Sequence, residues 1–356
     1  MSSPINTERV TTFPNAILES TRFEMARDPS VILMGLGITD HIGILGTTKG
    51  LVDEFGPDRV IETPLSEDSV TGVAVGAAMA GLRPIHIHIR MDFLMLCMNQ
   101  LVNMAAKAHY MYGGTVRVPM VVRAVIGKSW GQGAQHSQGL HALFMHVPGI
   151  KVVAPSNAHD AKGCLAAAVR DNNPVLFVEH RLLYRTESAV PSADYCVAAG
   201  RARVCRRGSD VTLVGVSVML LECLRAAELL EDAGISAEVI DPIWLAPLDS
   251  ATIVESAGRT GRLVVVDTGW TSCGAAAEIV ARTVETARSD RAIRVRRMGY
   301  AAATCPPTPV LEDLYYPNSA RIAEAAYALV RPEGPVWRAA ADKAEMAYAQ
   351  EFRGPF

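Results

Sequence analysis

The chain has 356 residues, of which 49% are hydrophobic and 20% are charged, so it is long enough for two domains with sizeable cores. Its formal net charge of −3 at pH 7 argues against a nucleic-acid binder that works by neutralising phosphates. The seven cysteines form no CxxC pair, which excludes the usual zinc and thioredoxin-like sites and indicates a reducing compartment.

The first half of the chain alternates predicted strands and helices. Periodicity predicts an amphipathic helix over residues 15–28, a buried strand over 31–34 and then a glycine-rich loop. That loop fails the dinucleotide fingerprint because Asp40 stands at the third glycine position. Further strands are predicted at 59–63, 84–89, 118–125, 151–154 and 174–179, and helices at 67–80, 92–112, 139–146 and 158–171.

The second half repeats this alternation after a polar linker at residues 186–200. Strands are predicted at 211–216, 237–241 and 263–267, and helices at 219–233 and 275–287. The α/β pattern predicts two doubly wound domains, residues 1–185 and 201–330, followed by a polar, partly helical tail at 331–356. No apolar run reaches about 20 residues, and Met1–Val10 lacks an apolar signal core, so a cytoplasmic protein is expected.

The first catalytic candidate is Glu67, which stands between a predicted strand and a helix of very small residues. A carboxylate at this junction lies where an α/β sheet leaves its crevice open, and it is placed to shuttle a proton. The alternative is an ordinary first-turn acid favoured by the helix dipole, with Ser66 as the cap. The residue pattern by itself favours this alternative.

Histidines supply the next candidates. His136 lies in the glycine-rich run Gly131–Gln138, where it is a plausible general acid or base, although a loop histidine bonded to the backbone is the commoner case. His141 and His146 follow at intervals of five and are interpreted as structural. His86 and His88 share a strand face, but a metal site there lacks a third ligand.

The order of several motifs resembles the beta subunits of thiamine-diphosphate-dependent 2-oxo-acid dehydrogenases of the pyruvate and branched-chain type, within the transketolase-like superfamily. The similarity extends from about Thr12 to Val330, and no single run is decisive. The matching segments are Phe55–Glu67, Gly76–Pro84, Asp92-Phe93, Gln100, Ala105–Lys107, Tyr110, Gly113-Gly114, Gln135–Gln138, Pro148-Gly149, Arg170–Pro174 and Glu179.

This resemblance implies a thiamine-diphosphate pyrimidine-binding domain followed by a transketolase C-terminal-type domain. Glu67 aligns with the glutamate that bonds N1′ of the aminopyrimidine and so promotes loss of the thiazolium proton. Phe93 aligns with the aromatic ring that packs on the pyrimidine, and Leu65 and Ile89 with apolar positions around the cofactor. His136 aligns with a histidine that stabilises intermediates and guides acyl transfer.

The resemblance also implies ions and partners. Ala168, Asp171 and Asn173 align with a potassium site, for which the alternative is a turn that satisfies its own backbone. The chain lacks the Gly-Asp-Gly run that holds Mg²⁺ and the diphosphate, so an alpha subunit is expected to supply it in a two-alpha, two-beta heterotetramer. A lipoyl acyltransferase is the acceptor partner in the dehydrogenase complexes.

Two departures from the family pattern concern the substrate. Leu36 stands where the family has a glutamate, and Ile87 where a carboxylate commonly follows Arg-Pro, while His88 and Arg90 add cations nearby. We expect these changes to alter the field in the pocket and favour a donor or acceptor other than pyruvate and lipoyl-lysine. Two other functions stay open here: a split transketolase or acyloin-forming carboligase, and a non-catalytic structural subunit.

Overall fold

The computed structural model describes residues 8–127, 131–287 and 292–339. These residues divide into two compact units, the first drawn from the ranges 8–126 and 143–199 and the second from the described parts of 127–142 and 200–339. No helix among the described residues combines the length and apolar character needed to cross a membrane.

The first unit is built on a parallel sheet. Six of its strands lie in the order β6-β7-β5-β4-β2-β3, and every neighbouring pair is parallel. Strands β5 and β7 are buried along their whole length, which explains their nearly continuous apolar sequence. The strands are β1 (Glu8–Thr12), β2 (Val31–Gly35), β3 (Val60–Glu62), β4 (Arg83–His88), β5 (Val121–Ile126), β6 (Lys151–Val153), β7 (Val175–His180) and β8 (Glu187–Pro191).

Helices connect these strands in the predicted alternation. They are α1 (Phe13–Arg27), α2 (Leu51–Phe55), α3 (Glu67–Met79), α4 (Ala106–Met111), α5 (His141–Met145) and α6 (Ala158–Arg170), with short 3₁₀ turns at Ile44–Gly46 and Arg181–Arg185. The predicted α/β class is confirmed, and the parallel order places the carboxyl ends of β2, β3 and β4 side by side.

The second unit has its own sheet in the order β14-β13-β10-β11-β9, parallel except for the edge strand β9. The strands of this sheet are β9 (Arg203–Arg206), β10 (Val211–Gly215), β11 (Ala237–Asp241), β13 (Arg262–Trp270) and β14 (Arg294–Tyr300), and β12 (Trp244–Ala246) lies outside it. The helices of this unit are α7 (Met219–Asp232), α8 (Ser250–Thr260), α9 (Ala275–Thr286), α10 (Pro309–Tyr315) and α11 (Ser319–Val330).

The predicted helix over residues 92–112 is helical but not one regular α-helix. It begins as a 3₁₀ segment, Met91–Cys97, continues as a π-helical segment, Asn99–Ala105, and ends as α4. The buried apolar residues Met91, Leu94 and Cys97 recur every three positions, which is the period of a 3₁₀ helix. Burial of that face therefore outweighs the better hydrogen bonds of an α-helix.

The predicted linker at 186–200 is partly a strand. Its first residues form β8, which pairs antiparallel with β1, a strand that no periodic pattern announced. The tail shows turn and coil over residues 331–339, and its remainder from 340 lies outside the described residues.

Candidate functional site

A cavity of about 430 Å³ opens at the carboxyl ends of β2, β3 and β4 in the first unit. Its volume lies within the range of about 300–1,000 Å³ that is usual for small-molecule sites. The wall brings together four residues predicted from sequence, Leu65, Glu67, Ile89 and Phe93. The other lining residues are Leu36, Thr63, Pro64, Ser66, Val70, His86, Ile87, His88, Arg90 and Leu96.

Glu67 is the first residue of α3, directly after the turn that leaves β3. Its side chain is half-buried, and it is the one carboxylate among the residues that line the cavity. Ser66 is the N-cap residue, as the alternative interpretation expects, but its side chain makes no capping hydrogen bond. Glu67 therefore faces a cavity walled mostly by apolar side chains.

Glu62 fixes the loop that forms one edge of the cavity. Its carboxylate accepts hydrogen bonds from the backbone N–H of Thr39 at 3.1 Å and from the Thr39 hydroxyl at 2.9 Å. It also accepts from the N–H of Gly37. The loop after β2 is thereby tied to β3, and Leu36 is held against the cavity.

A polar network that sequence reasoning did not assign lies in the wall beside Glu67. The Thr71 hydroxyl is 3.0 Å from Nε2 of His86, 3.4 Å from Nε2 of His88 and 3.2 Å from the sulfur of Cys97. The ring of His86 also meets the carbonyl of Met34 through Nδ1 at 3.3 Å. Since a carbonyl only accepts, Nδ1 carries the proton and Nε2 accepts from Thr71.

Burial keeps this network uncharged. It lowers the pKa of His86 to about 4 and the pKa of His88 well below its usual range, and it raises the pKa of the Cys97 thiol to about 11. The two histidines are therefore neutral at pH 7, and they add no positive charge to the cavity.

We expect the free energy of unfolding to fall as the pH decreases from 6.5 toward 4. In that window a histidine in the unfolded chain binds a proton, whereas folded His86, whose pKa is about 4, stays neutral. Acid therefore favours the unfolded chain. Each pH unit costs at most about 1.4 kcal/mol per such histidine. Urea unfolding at several pH values measures this slope, and the variant His86→Gln is expected to make it shallower.

The exposed His146 supplies the control. His146→Gln is expected to leave the slope unchanged, and an equal slope in native protein and His86→Gln would contradict the assignment.

His136 lies in a loop that belongs to the second unit, although the sequence places it within the first predicted domain. A Cβ at Gly139 would come within 1.9 Å of the Thr268 carbonyl oxygen, so only glycine fits there. Next to it, Nε2 of the buried His141 is 2.9 Å from a carboxylate oxygen of the buried Asp267. The structural role expected for His141 is thus to anchor this loop on β13.

The residues of the predicted potassium site are grouped at the C-terminal end of α6. The Asp171 N–H donates to the Ala168 carbonyl at 3.2 Å, and one Asp171 carboxylate oxygen accepts from the backbone and side-chain nitrogens of Asn173, both at 2.9 Å. The other carboxylate oxygen bonds Lys151, and Arg83 donates to the Asp171 carbonyl at 2.9 Å. These contacts match the alternative of a self-satisfied turn. Within the described ranges no three or more His, Cys, Asp or Glu side chains are grouped to hold a metal ion.

Comparison with known proteins assigns both parts of the chain. Residues 11–187 match the family described as the pyrimidine-binding domain of transketolase, and residues 200–322 match the transketolase C-terminal domain. The beta subunit of acetoin:2,6-dichlorophenolindophenol oxidoreductase from Cupriavidus necator is 43% identical over 87% of this chain and 95% of its own length. The beta subunit of the pyruvate dehydrogenase E1 component from Rickettsia felis is 40% identical over 88% and 96%.

The chain belongs to the beta subunits of thiamine-diphosphate-dependent 2-oxo-acid dehydrogenases. The fold of this beta subunit also resembles a solved structure titled a split gene transketolase, inactive beta4 tetramer, with a TM-score of 0.73 over 89% of this chain and 97% of the other. Because the identity is 22%, that likeness supports the fold alone. The carboligase and structural-subunit alternatives are not favoured.

Proposed function

We propose that the beta subunit holds the aminopyrimidine end of thiamine diphosphate in the 430 Å³ cavity, through Leu65, Glu67, Ile89 and Phe93. The observation that carries this proposal is that residues from three separate chain segments converge on one cavity with a single carboxylate. Apolar walls suit a flat ring, and an aromatic contact such as that of Phe93 contributes about 0.5–1.5 kcal/mol beyond area burial.

Glu67 is the proposed catalytic residue. When bound, thiamine diphosphate supplies a carbon nucleophile for cleavage next to a carbonyl group. Glu67 holds a proton at N1′ of the pyrimidine, and the low polarity of the surrounding wall strengthens that hydrogen bond. The neutral His86 and His88 leave this carboxylate without a competing histidine cation.

His136 is proposed as the second catalytic residue, acting on the acyl group during transfer. This proposal is supported by the contacts that hold one end of the His136 loop. These are the close approach of Gly139 to Thr268 and the His141–Asp267 pair. A loop held in this way presents an imidazole in a defined place, as acyl transfer requires.

An alpha subunit is proposed to complete the site in a two-alpha, two-beta heterotetramer. The chain contains no Gly-Asp-Gly run, so Mg²⁺ and the diphosphate are assigned to that partner. Exposed apolar side chains on α3 and on the helical segments that follow β4 suit a permanent interface; they are Val73, Met79, Leu96, Met104, Tyr110, Met111 and Tyr112.

A potassium ion at Ala168, Asp171 and Asn173 remains part of the proposal, and its support is the resemblance of this segment to the family pattern. The acceptor is proposed to be the lipoyl group of an acyltransferase, and the compartment to be the cytoplasm, where seven free cysteines stay reduced.

Co-expression with the alpha subunit tests this function. We expect the purified pair to bind thiamine diphosphate with Mg²⁺, to decarboxylate a 2-oxo acid and to reduce 2,6-dichlorophenolindophenol, whereas the isolated beta subunit does none of the three. Binding and turnover by the isolated beta subunit would contradict the shared site.

A further inference from the structure

Arg90 stands out among the lining residues because few of its N–H donors are used within the described part of the chain. It follows β4 at the carboxyl edge of the sheet and lines the cavity. Within the described part of the chain, Arg90 donates one hydrogen bond, from Nη1 to the carbonyl oxygen of the adjacent Ile89 at 2.9 Å. Its Nε atom is buried and finds no acceptor in the described part of the chain. A guanidinium has five N–H donors, so most of them are available to a ligand.

The surroundings leave Arg90 as the positive centre of the cavity. His86 and His88 are neutral, Leu36 and Ile87 are apolar, and Glu67 is committed to the cofactor under the proposed function. Burial lowers the pKa of Arg90, and the nearby Asp92 carboxylate offsets part of that effect without removing the cation. A half-buried cation with unused donors is stabilised by an anion that enters the cavity.

We propose that Arg90 binds an oxyanion group, a carboxylate or a phosphate, that the substrate carries in addition to its 2-oxo carboxylate. The proposal rests on the proposed function, because it assumes that the cavity also receives the donor substrate. The planar guanidinium fork matches either group through two parallel hydrogen bonds. The substrate class is therefore a 2-oxo acid with an anionic side chain.

Three donors that share the 2-oxobutyrate skeleton and differ in the group on C4 test the proposal with the alpha–beta complex: 2-oxobutyrate, 2-oxoglutarate and 2-oxo-4-phosphonobutyrate. We expect kcat/KM for at least one dianionic donor to exceed that for 2-oxobutyrate by about tenfold or more. In Arg90→Gln this ratio is expected to fall by about tenfold or more, and in Arg90→Lys to be intermediate. The two dianionic donors distinguish a carboxylate from a phosphate-type ligand.

The control variant is Arg207→Gln, because the Arg207 side chain is 81% exposed and lies in the second unit. It should retain the native ratio. A native preference for 2-oxobutyrate, or a ratio that Arg90→Gln leaves unchanged, overturns the proposal. An equal loss for all three donors also overturns it, because Arg90 would then bind the carboxylate that every 2-oxo acid shares.

Binding of unreactive anions separates this proposal from the proposed function. Glutarate and butyrate are titrated calorimetrically into the complex loaded with thiamine diphosphate and Mg²⁺. Glutarate binding that is lost in Arg90→Gln supports the anion site even when no 2-oxo acid reacts. The absence of turnover would then count against the proposed function only. If glutarate does not bind, or binds the native complex and Arg90→Gln equally, the anion site is overturned. Turnover of 2-oxobutyrate in the same preparation would still support the proposed function.

Discussion

The variant Glu67→Gln is expected to lower turnover by the alpha–beta complex by about 10²–10⁴-fold, the usual contribution of a general acid or base. Glutamine preserves the size and a hydrogen bond at the cavity wall but cannot exchange a proton at N1′. Assembly and folding should therefore be retained. Steady-state kinetics with 2,6-dichlorophenolindophenol measure the loss, and size-exclusion chromatography measures assembly.

Asp68 provides a matched control for the competing interpretation of Glu67 as a helix-start acid. Both acids lie in the first turn of α3, but Asp68 does not line the cavity. Asp68→Asn removes the same favourable interaction with the helix dipole, worth about 0.3–1 kcal/mol, and should leave turnover near the native value. If the two variants affect turnover alike, Glu67 is a structural acid rather than a catalyst.

The variant Glu179→Ala is expected to destabilise the first unit by about 3–5 kcal/mol, because it leaves a buried arginine without its partner. Glu179 and Arg123 are both fully buried, and their two hydrogen bonds measure 2.6 and 2.9 Å. Tyr184 donates to the same carboxylate at 2.6 Å. Burial works against the charged guanidinium, yet the carboxylate raises the pKa of Arg123 above its usual value. Urea unfolding measures the change in stability.

Two further variants locate the cause of that loss. The double variant Arg123→Met with Glu179→Leu removes both charges and should recover much of the stability. The exposed pair Arg282–Glu278 is the control, since Glu278→Ala should change stability by only about 0.5 kcal/mol. A double variant as unstable as Glu179→Ala would show that packing around Arg123, rather than its unpaired charge, causes the loss.

Local patterns predicted most helices and strands because their physical causes are local. The apolar runs of β2, β5 and β7 and the small residues of α3 match the structure closely. Predictions were poorer where the cause was distant. The 3₁₀ period of Met91, Leu94 and Cys97 serves a buried face, and β8 forms only because β1 lies beside it.

The candidate site divides in the same way. Glu67, Phe93, Leu65 and Ile89 were found through the order of motifs, and the structure brings them to one cavity. The roles of His86 and His88 were not foreseen, because their neutrality follows from burial and from the shared Thr71 hydroxyl. Their spacing on one face of β4 was visible in the sequence, but their protonation was not.

The sequence by itself therefore determined the α/β class and the family, and it predicted four residues that line one cavity, because strand and helix periods and ordered motifs lie along the chain. Only the tertiary structure decided that the His136 loop belongs to the second unit and that Arg90 is the positive centre of the cavity. Both depend on which groups become neighbours and lose water on folding, and charge and hydrogen bonding in a cavity are set by those neighbours.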